Sequence, residues 1–293
     1  MSHKAGFVSI IGKPNAGKST LLNAFLGETL SIITPKAQTT RHRILGILNE
    51  DEYQIIFSDT PGIIKPRYGL QESMMSAVQV SMSDADLILF VTDINERQDE
   101  ADALAVLEKS NSPVVVVVNK VDTSKQQYIQ AKIDYWKQKL NPIAIFATSA
   151  LHDFQIKELL NFVKSQMPEH PAFYPKDDTY TDRSERFIVS EMIREKILMQ
   201  FQQEIPYSTE VIVTSFKEED HIVKIQAEII VERETQKAII LGHHGESIKK
   251  LGTKSRESIE LFVQKKVYLE LFVKVLSDWR NKKNYLKRFG YES

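Results

Sequence analysis

The sequence predicts an α/β domain, with a mostly parallel sheet covered by helices on both faces, followed by a smaller α+β domain. Three observations support this prediction. Short β-branched segments alternate with amphipathic segments through the first half, which is typical of such a sheet. Three prolines within residues 167–175 then interrupt the alternation. The chain has 293 residues, about twice the ~150 of a usual domain. We therefore predict a first domain over residues 1–170, a linker over 171–183 and a second domain over 184–293.

The first domain is predicted to contain six strands with amphipathic helices between most of them. The strands are placed at 7–11, 44–48, 53–57, 87–92, 114–118 and 143–148, and the helices at 74–82, 100–108, 128–140 and 156–165. Five consecutive valines at 114–118 show no polar alternation, as expected of a central strand that is buried on both faces. A short polar turn separates 44–48 from 53–57, so we predict an antiparallel edge hairpin there.

The second domain has a different order of elements. We predict a helix at 184–201, strands at 210–216 and 221–232, two helices hinged at 242–245, a strand at 267–275 and a basic tail. The net charge of −1 is unevenly distributed, since residues 1–175 carry −2, 176–236 carry −6 and 237–293 carry +7. The basic end indicates an anionic partner, either nucleic acid or an acidic membrane surface. An ordinary solvated lysine-rich helix would explain the charge equally well.

Composition narrows the class of protein. The chain contains no cysteine, which excludes disulfides and thiolate metal sites and fits a reducing compartment. No apolar run approaches ~18 residues, and the first residues do not resemble a signal peptide. We therefore expect a soluble intracellular protein.

A glycine-rich segment follows the first predicted strand directly. Residues 12–19 match GxxxxGK[ST] and lead into a predicted helix. Glycines allow successive backbone N–H groups to close around phosphates, and the helix N-terminus adds positive potential. Lys18 would neutralise the β and γ phosphates of a nucleotide, and the Ser19 hydroxyl would bind Mg²⁺. The residues predicted to contact phosphate are Gly12, Lys13, Pro14, Asn15, Ala16, Gly17, Lys18, Ser19 and Thr20.

Further polar segments end other strands of the predicted sheet. Residues 59–62, DTPG, follow the strand at 53–57, so the Asp59 carboxylate could hold Mg²⁺ through water and the Gly62 N–H could meet a γ-phosphate. Residues 119–122, NKVD, follow the valine strand. The Asp122 carboxylate can accept the N1–H and the 2-amino hydrogens of guanine, a pairing that adenine cannot supply.

Three neighbours complete the predicted base site. We expect Lys120 to cover the base and Asn119 to tie the loops together. After the next strand comes Thr148-Ser149-Ala150, where the Ala150 N–H could meet guanine O6. The motifs together predict a single pocket for a guanine nucleotide at one edge of the sheet.

Taken in order, these motifs resemble those of the translation-factor branch of small GTPases. That family carries a mobile threonine between the first two motifs, matched here in QTTRH at 38–42. The resemblance implies that a threonine oxygen completes the Mg²⁺ shell only with GTP, so that the loop orders with GTP and relaxes with GDP. We favour Thr40, and Thr39 remains an alternative.

One position departs from Ras-like enzymes. Ile63 follows DTPG where those proteins carry a glutamine that orients the attacking water. Isoleucine cannot hydrogen-bond water, so we predict slow intrinsic hydrolysis, about 10⁻⁴ to 10⁻³ per second unless a partner or ion assists. Related GTPases with Pro-Asn in this loop use the asparagine to hold K⁺, which makes Asn15 a candidate K⁺ ligand.

The predicted site is therefore specific. The catalytic residues are Lys18, Thr40, Asp59 and Gly62. The Mg²⁺ ligands are Ser19, Thr40 and Asp59. The nucleotide contacts outside the glycine-rich segment are Asp59, Thr60, Pro61, Gly62, Ile63, Asn119, Lys120, Asp122, Ser149 and Ala150.

Residues 242–245, Gly-His-His-Gly, form a GxxG between two predicted helices. The surrounding order of elements resembles the type II KH fold, an RNA-binding module whose GxxG loop clamps a nucleotide backbone. Without side chains at Gly242 and Gly245, phosphates can approach backbone N–H groups. A plain helix-turn-helix hinge is the alternative. His243 and His244 stand where KH loops often carry Lys or Arg, so RNA binding should strengthen as the pH falls through the histidine range.

Basic side chains after this turn would supply further phosphate contacts and make binding sensitive to salt. On the following helix these are Lys249, Lys250, Lys254 and Arg256, and in the tail they are Arg280, Lys282, Lys283, Lys287 and Arg288. Tyr285 and Phe289 either stack on bases or pack against the domain.

The full arrangement resembles the Era family of bacterial GTPases over essentially the whole chain. The resemblance implies GTP or GDP with Mg²⁺ as ligands, binding to 16S ribosomal RNA near its 3′ end and to the 30S subunit, and a role in small-subunit maturation. It also implies a cytoplasmic location with peripheral contact to the inner face of the cell membrane, and we expect a monomer. Two alternatives remain: a membrane-associated or cell-cycle GTPase that acts on proteins, and an RNA-binding scaffold with a structural nucleotide.

Overall fold

The computed structural model describes residues 3–96, 101–108, 110–176 and 179–291. The predicted start of one helix at Glu100, Asp177 and Asp178 of the predicted linker, and the last two residues lie outside these ranges. The chain forms two compact units. One comprises the residues up to 67 together with 71–182, and the other comprises 183–291 together with 68–70.

The first unit is built on a six-stranded sheet. Its strands are β1 (Lys4–Ile11), β2 (Ile44–Asn49), β3 (Tyr53–Asp59), β4 (Leu87–Asp93), β5 (Val114–Asn119) and β6 (Ala144–Ala147), in the order β2-β3-β1-β4-β5-β6. Every neighbouring pair is parallel except β2 and β3, which form the predicted antiparallel edge hairpin. The mostly parallel sheet is therefore confirmed.

Helices cover both faces of this sheet. They are α1 (Lys18–Leu26), α2 (Gly69–Ser83), α3 (Ala101–Leu107), α4 (Gln126–Leu140) and α5 (Ile156–Gln166). Residues of α1 and α5 pack on one face and residues of α2, α3 and α4 on the other. The valines of β5 alternate between these two cores and are fully buried from 115 to 118. However, β5 lies one place in from the edge rather than at the middle of the sheet.

The proline-rich segment after α5 is fixed to the first unit rather than free. The buried Gln54 side chain accepts hydrogen bonds from the backbone N–H groups of Phe173 and Tyr174 at 2.6 and 2.9 Å. Farther along, the Ile47 N–H of the edge strand donates to the Tyr180 carbonyl oxygen at 2.8 Å. Prolines explain the extended course of this segment, but its docking depends on these distant partners.

The second unit combines a three-stranded sheet with helices. Its elements are α6 (Glu185–Gln200), β7 (Glu210–Glu218), β8 (Ile222–Val231), α7 (Glu234–Leu241), α8 (Glu246–Val263), β9 (Lys266–Val275) and α9 (Lys283–Arg288). The sheet order is β7-β8-β9, with β8 antiparallel to β7 and parallel to β9. Apolar residues of α6, α7 and α8 bury one face of the sheet.

The basic tail is folded onto this unit. The fully buried Trp279 donates its indole N–H to the Ser208 carbonyl oxygen at 3.0 Å. Leu286 of α9 and Tyr291 are also buried, and the Tyr291 hydroxyl donates to Glu210 at 2.5 Å. The tail is therefore part of the packed domain. Among the helices in the described ranges, none has the length and apolarity needed to span a bilayer.

Candidate functional site

The glycine-rich loop between β1 and α1 has a backbone that only glycine fits. Gly12 has φ +152°, and a Cβ there would lie 2.1 Å from the Val91 carbonyl oxygen of β4. Gly17 has φ +99°, and a Cβ there would lie 2.1 Å from Asn119 Nδ2. Larger residues would push the loop away from the strand ends. The loop therefore sits directly against β4 and the loop after β5, which brings the predicted phosphate and base motifs together.

Lys18 opens α1 and is buried inside this loop. Its Nζ donates to the carbonyl oxygens of Gly12 and Lys13 at 3.2 and 2.9 Å. Burial lowers the pKa of Lys18 to about 8, while the charges of Asp59 and Glu96 act in the opposite direction. Burial disfavours the charged ammonium form of Lys18. An incoming phosphate would stabilise that form strongly, because it supplies the counter-charge that the buried site lacks.

Three predicted Mg²⁺ ligands converge beside Lys18. Ser19 Oγ donates to Asp59 Oδ2 at 2.7 Å, and Ser19 Oγ lies 2.9 Å from Thr40 Oγ1. The Thr39 hydroxyl has a different partner, since it donates to the Lys36 carbonyl oxygen at 2.6 Å. The geometry thus supports Thr40, which the sequence favoured, over the alternative Thr39.

The surroundings of the Asp59 carboxylate favour the binding of a cation. Asp59 is fully buried, and burial raises the pKa of its carboxyl, while the Ser19 hydrogen bond and the Lys18 charge oppose that shift. Its Oδ1 atom is buried and makes no hydrogen bond of ordinary length to the described residues. In the described ranges no group of three His, Asp or Glu side chains could hold a metal. One carboxylate with hydroxyls and substrate phosphates is the donor set that Mg²⁺ commonly uses. When bound, the ion would neutralise phosphate charge.

Asn119 at the end of β5 joins three loops. Its Nδ2 donates to the Ala16 carbonyl oxygen at 3.0 Å, and its Oδ1 accepts from Thr148 Oγ1 at 3.2 Å and from the Ala150 N–H at 3.0 Å. The predicted tying role of Asn119 corresponds to these contacts. The Ala150 N–H donates to Asn119 Oδ1, and its contact with guanine O6 stays a prediction.

Asp122 and Lys120 border the base side of the pocket. Ser149 Oγ donates to Asp122 Oδ1 at 2.5 Å, which leaves Oδ2 as the less engaged oxygen, 3.7 Å from His152 Nε2. Lys120 Nζ donates to the Asn15 carbonyl oxygen at 2.6 Å and pairs with Asp93 at 2.8 Å. The lysine therefore bridges the glycine-rich loop and the base loop.

The DTPG segment lies against the glycine-rich loop. A Cβ on Gly62 would come within 2.6 Å of the Pro14 nitrogen, so the two backbones are in close contact. Thr60 Oγ1 donates to the Ile10 carbonyl oxygen at 2.8 Å, and Pro61 is buried. The Ile63 side chain packs in the core with α2 and α4, and its N–H donates to the Gly12 carbonyl oxygen at 3.0 Å. The nucleotide contact predicted for Ile63 stays a prediction.

These loops enclose a cavity of about 380 Å³. That volume lies within the range of small-ligand sites. Several residues that line it were not predicted from the sequence, because no recognised motif contains them. They are Ile32, Ile33, Thr34, Pro35, Thr123 and Leu151. The first four precede QTTRH. The sequence signal that could have identified them is their position between the glycine-rich segment and DTPG.

The GxxG turn of the second unit has the same dependence on glycine. Gly242 has φ +71°, and a Cβ there would lie 2.5 Å from Ser247 Cβ. Gly245 has φ +79° with nothing within 4 Å of a Cβ. His244 also adopts a left-handed φ of 48°, and its ring contacts that of His243 at a centroid distance of 4.0 Å. Lys249, Lys250, Lys254 and Arg256 are exposed on α8.

The side chains of the tail differ in their exposure and in their partners. Arg280 Nη2 donates to Glu232 Oε2 at 2.5 Å, so this guanidinium is paired within the unit, and its phosphate contact stays a prediction. Phe289 packs against Trp279 at a centroid distance of 5.5 Å, and Tyr285 stacks on Phe289. The packing alternative for these two aromatic residues is therefore the observed one. Lys282, Lys283, Lys287 and Arg288 are exposed.

Comparison with known proteins agrees with this geometry. The family described as 50S ribosome-binding GTPase matches residues 7–120, and the KH domain family matches residues 204–280. The chain is 41% identical over 292 residues to the GTPase Era of Staphylococcus haemolyticus, a match that covers 99% of this chain and 97% of that protein. The chain belongs to the Era family of GTPases.

Solved structures of Era match along the whole chain. One is Era in complex with MgGDPNP and nucleotides 1506–1542 of 16S ribosomal RNA, with a TM-score of 0.94, 40% identity and coverage of 99% of this chain and 100% of that chain. Another is a substituted Aquifex aeolicus Era bound to GDP·AlF4⁻, also with a TM-score of 0.94. The predicted fold, a P-loop GTPase domain followed by a KH domain, is confirmed. As a member of the Era family, the chain binds GTP and hydrolyses it to GDP and phosphate.

Replacing Asp122 with Asn should change the base that the Era-family site selects. An amide donates where the carboxylate accepts, so guanine loses its partner while the 2-oxo group of xanthine gains one. We expect GTP affinity to fall about a hundredfold and xanthosine triphosphate affinity to rise. Competition against a fluorescent nucleotide measures both. Asp134→Asn on the exposed face of α4 is the control, and unchanged guanine selectivity in Asp122→Asn would contradict the assignment.

The lowered pKa of Lys18 predicts a pH dependence of nucleotide binding. Bound phosphate favours the ammonium form, so binding takes up a proton once the pH exceeds the pKa of about 8 in the free protein. Affinity for GDP should therefore be about tenfold weaker at pH 9 than at pH 7. Tripolyphosphate, which lacks a base, should show the same trend and thereby separate Lys18 from ionisation of guanine. An affinity that is flat across this range would refute the prediction.

Proposed function

We propose that this chain is a Mg²⁺-dependent GTP switch that binds 16S ribosomal RNA near its 3′ end and acts in maturation of the 30S subunit. The observation that carries the proposal is the pairing, in one chain, of the nucleotide pocket with a GxxG turn followed by an exposed basic helix. A structure of Era that is 40% identical to this chain holds MgGDPNP and nucleotides 1506–1542 of 16S ribosomal RNA. The same ligands are the natural candidates here.

The switch part of the proposal rests on Thr40. Its hydroxyl lies 2.9 Å from Ser19 Oγ and 3.4 Å from Asp59 Oδ2, so all three would contribute oxygens at or near one Mg²⁺ ion. Thr40 stands in the segment 32–40, which also lines the nucleotide cavity. A segment that gains contacts only with the γ-phosphate would be ordered with GTP and released with GDP. Release of this segment is how hydrolysis would be signalled.

The RNA part rests on the turn and its charges. With glycine at 242 and 245, phosphate groups can approach the backbone at the start of α8 without meeting a side chain. The exposed cations Lys249, Lys250, Lys254 and Arg256 follow on that helix. Each neutralised phosphate releases counterions, so affinity should fall steeply with salt. The rival function, a membrane-associated GTPase acting on proteins, would use the same cations on anionic lipid.

Slow hydrolysis and K⁺ dependence extend the proposal. The Ile63 side chain lies in the apolar core, and isoleucine offers no hydrogen bond to an attacking water. Asn15 has a left-handed φ of 64° and its Nδ2 donates to the Pro35 carbonyl oxygen at 2.9 Å. This contact brings a carboxamide and a carbonyl oxygen to the phosphate end of the pocket. A K⁺ ion held there by Asn15 would spread positive charge over the transition state.

Exchanging K⁺ for Na⁺ tests the cation. At equal ionic strength, GTP turnover by the wild-type chain should fall severalfold in Na⁺, and Asn15→Ala should remove the difference between the two ions. GDP affinity in both salts is the control for nucleotide binding. Turnover that is indifferent to the ion in the wild type would count against K⁺ and leave the GTPase assignment intact.

Replacing Gly245 with Asp tests the RNA site. A Cβ at position 245 would meet no atom within 4 Å, and aspartate is among the residues that tolerate a left-handed φ, so the fold should persist. A negative charge at the turn should weaken binding to an RNA of the 16S 3′ end about tenfold or more, with GDP affinity unchanged. The further substitution Gly242→Asp should add to the loss.

Leu261→Asp is the matched control, since Leu261 is 81% exposed and lies about 24 Å along α8 from the turn. Fluorescence anisotropy at fixed salt gives the RNA affinities. Equal losses in Gly245→Asp and Leu261→Asp would overturn the assignment. Measuring GTP turnover with this RNA, with anionic vesicles and with neither then separates the two functions: stimulation by RNA supports the proposal, and stimulation by vesicles alone supports the rival.

A further inference from the structure

Three serines from three elements meet beneath α2, outside the nucleotide pocket. Ser9 of β1, Ser58 of β3 and Ser81 of α2 are at most 2% exposed. Ser9 Oγ lies 2.6 Å from Ser81 Oγ, and Ser81 Oγ donates to Ser58 Oγ at 2.8 Å. Burying a hydroxyl costs free energy unless it is hydrogen-bonded. A buried row of three hydrogen-bonded hydroxyls therefore needs a polar group beside its last member.

The polar group beside Ser58 is Arg43, and the hydroxyl protons determine which serine donates to which. A hydroxyl has a single proton, and since Ser81 gives its proton to Ser58, Ser9 must donate to Ser81. Ser58 Oγ also accepts from Arg43 Nε at 2.7 Å. Both lone pairs of Ser58 are then used. The oxygen of Ser58 is therefore the acceptor for α2 on one side and for the guanidinium on the other.

The same guanidinium reaches a third segment. Arg43 Nη1 pairs with Asp84 Oδ2 at 2.8 Å, with the arginine side chain 19% exposed and the aspartate 47% exposed. Asp84 directly follows the last residue of α2, and Ser58 directly precedes Asp59. Arg43 itself stands immediately before β2 and three residues after Thr40. The Arg43 side chain thus connects three elements. These are the segment 36–43 that carries Thr40 (the Thr40 segment), the strand β3 that carries Asp59, and the helix α2 that follows DTPG.

We propose that Arg43 is a positioning residue for GTP hydrolysis, which holds the Thr40 segment in register with Asp59 and with α2. The proposal rests on the role of Thr40 and Asp59 at Mg²⁺ given above. A planar guanidinium can serve Ser58 and Asp84 at the same time in fixed directions, which an ammonium group cannot do. With Arg43 in place, ordering the Thr40 segment around GTP costs less conformational entropy, because its C-terminal end is already fixed.

A structural role alone would have a different consequence. If Arg43 only stabilised the fold, its loss would weaken GDP and GTP complexes alike or leave both unchanged. If it positions Thr40, its loss should weaken the complex that needs Thr40 and spare the one that does not. The comparison of a GTP analogue with GDP therefore separates the two roles.

The experiment compares Arg43→Met, Arg43→Lys and Lys164→Met with the wild type. Lys164→Met removes an ion pair with Glu50 in the same unit and is the matched control. Affinities for GDPNP and GDP are measured as Mg²⁺ is varied. We expect Arg43→Met to weaken GDPNP binding about tenfold in Mg²⁺ and to leave GDP binding in EDTA unchanged. Arg43→Lys should recover part of the loss, and Lys164→Met should match the wild type.

A second readout needs neither nucleotide nor Mg²⁺. Amide hydrogen exchange of residues 36–43 in the nucleotide-free protein should be about tenfold faster in Arg43→Met than in the wild type or Lys164→Met. Ser58→Ala should show the same change, because it removes the shared acceptor.

Equal loss of GDPNP and GDP binding in Arg43→Met, or unchanged GDPNP binding and exchange, would overturn the proposal. Mg²⁺-independent GDPNP binding in the wild type would instead overturn the proposed Mg²⁺ site, and with it the role of Arg43. The two failures are therefore distinguishable.

Discussion

The nucleotide pocket depends on a single buried side chain, Asn119. Its amide holds the glycine-rich loop through Ala16 and the loop after β6 through Thr148 and Ala150. It also occupies the space above Gly17, where a Cβ would lie 2.1 Å away. Parallel strands bring their carboxyl ends to one edge, but loops at that edge need a common partner to form one surface. Asn119 supplies that partner, and Asp122, the predicted base contact, lies in the loop that follows Asn119.

The two units each contain a helix that begins after a glycine with left-handed φ. In each, a glycine with left-handed φ caps a helix without a side-chain hydrogen bond: Gly17 before α1 and Gly245 before α8. Backbone N–H groups at such a terminus have no partner within their helix, so they are open to an anion. The differences lie in charge. α1 begins with the buried Lys18, whereas α8 has Glu246 in its first turn and exposed lysines farther along. From that contrast we expect tight binding of a nucleotide in the first unit and salt-sensitive binding of RNA at the second.

Much of this arrangement could be predicted from the sequence because its chemistry depends on local order. The glycine-rich loop, DTPG and NKVD each follow a strand directly, so their strand ends and their convergence were predictable. The choice between Thr40 and Thr39 was not, since it depends on where β3 places Asp59. The hydrogen bond from the Ala150 N–H to Asn119 and the burial of the Ile63 side chain in the core were not predicted, because they depend on packing between distant segments. The docking of Phe173 and Tyr174 on Gln54, the contact of Tyr180 with β2, and the link from Arg43 to α2 join residues far apart in sequence that carry no motif.

The central claim is that one pocket, fixed by Asn119 and completed by Asp122, selects a guanine nucleotide. The most direct measurement is the affinity of the wild-type chain for GDP and for ADP in the same buffer. The account predicts that GDP binds about 10⁴-fold more tightly, because adenine cannot supply the two donors that guanine offers to the Asp122 carboxylate. Comparable affinities for the two nucleotides, or binding of neither, would contradict it.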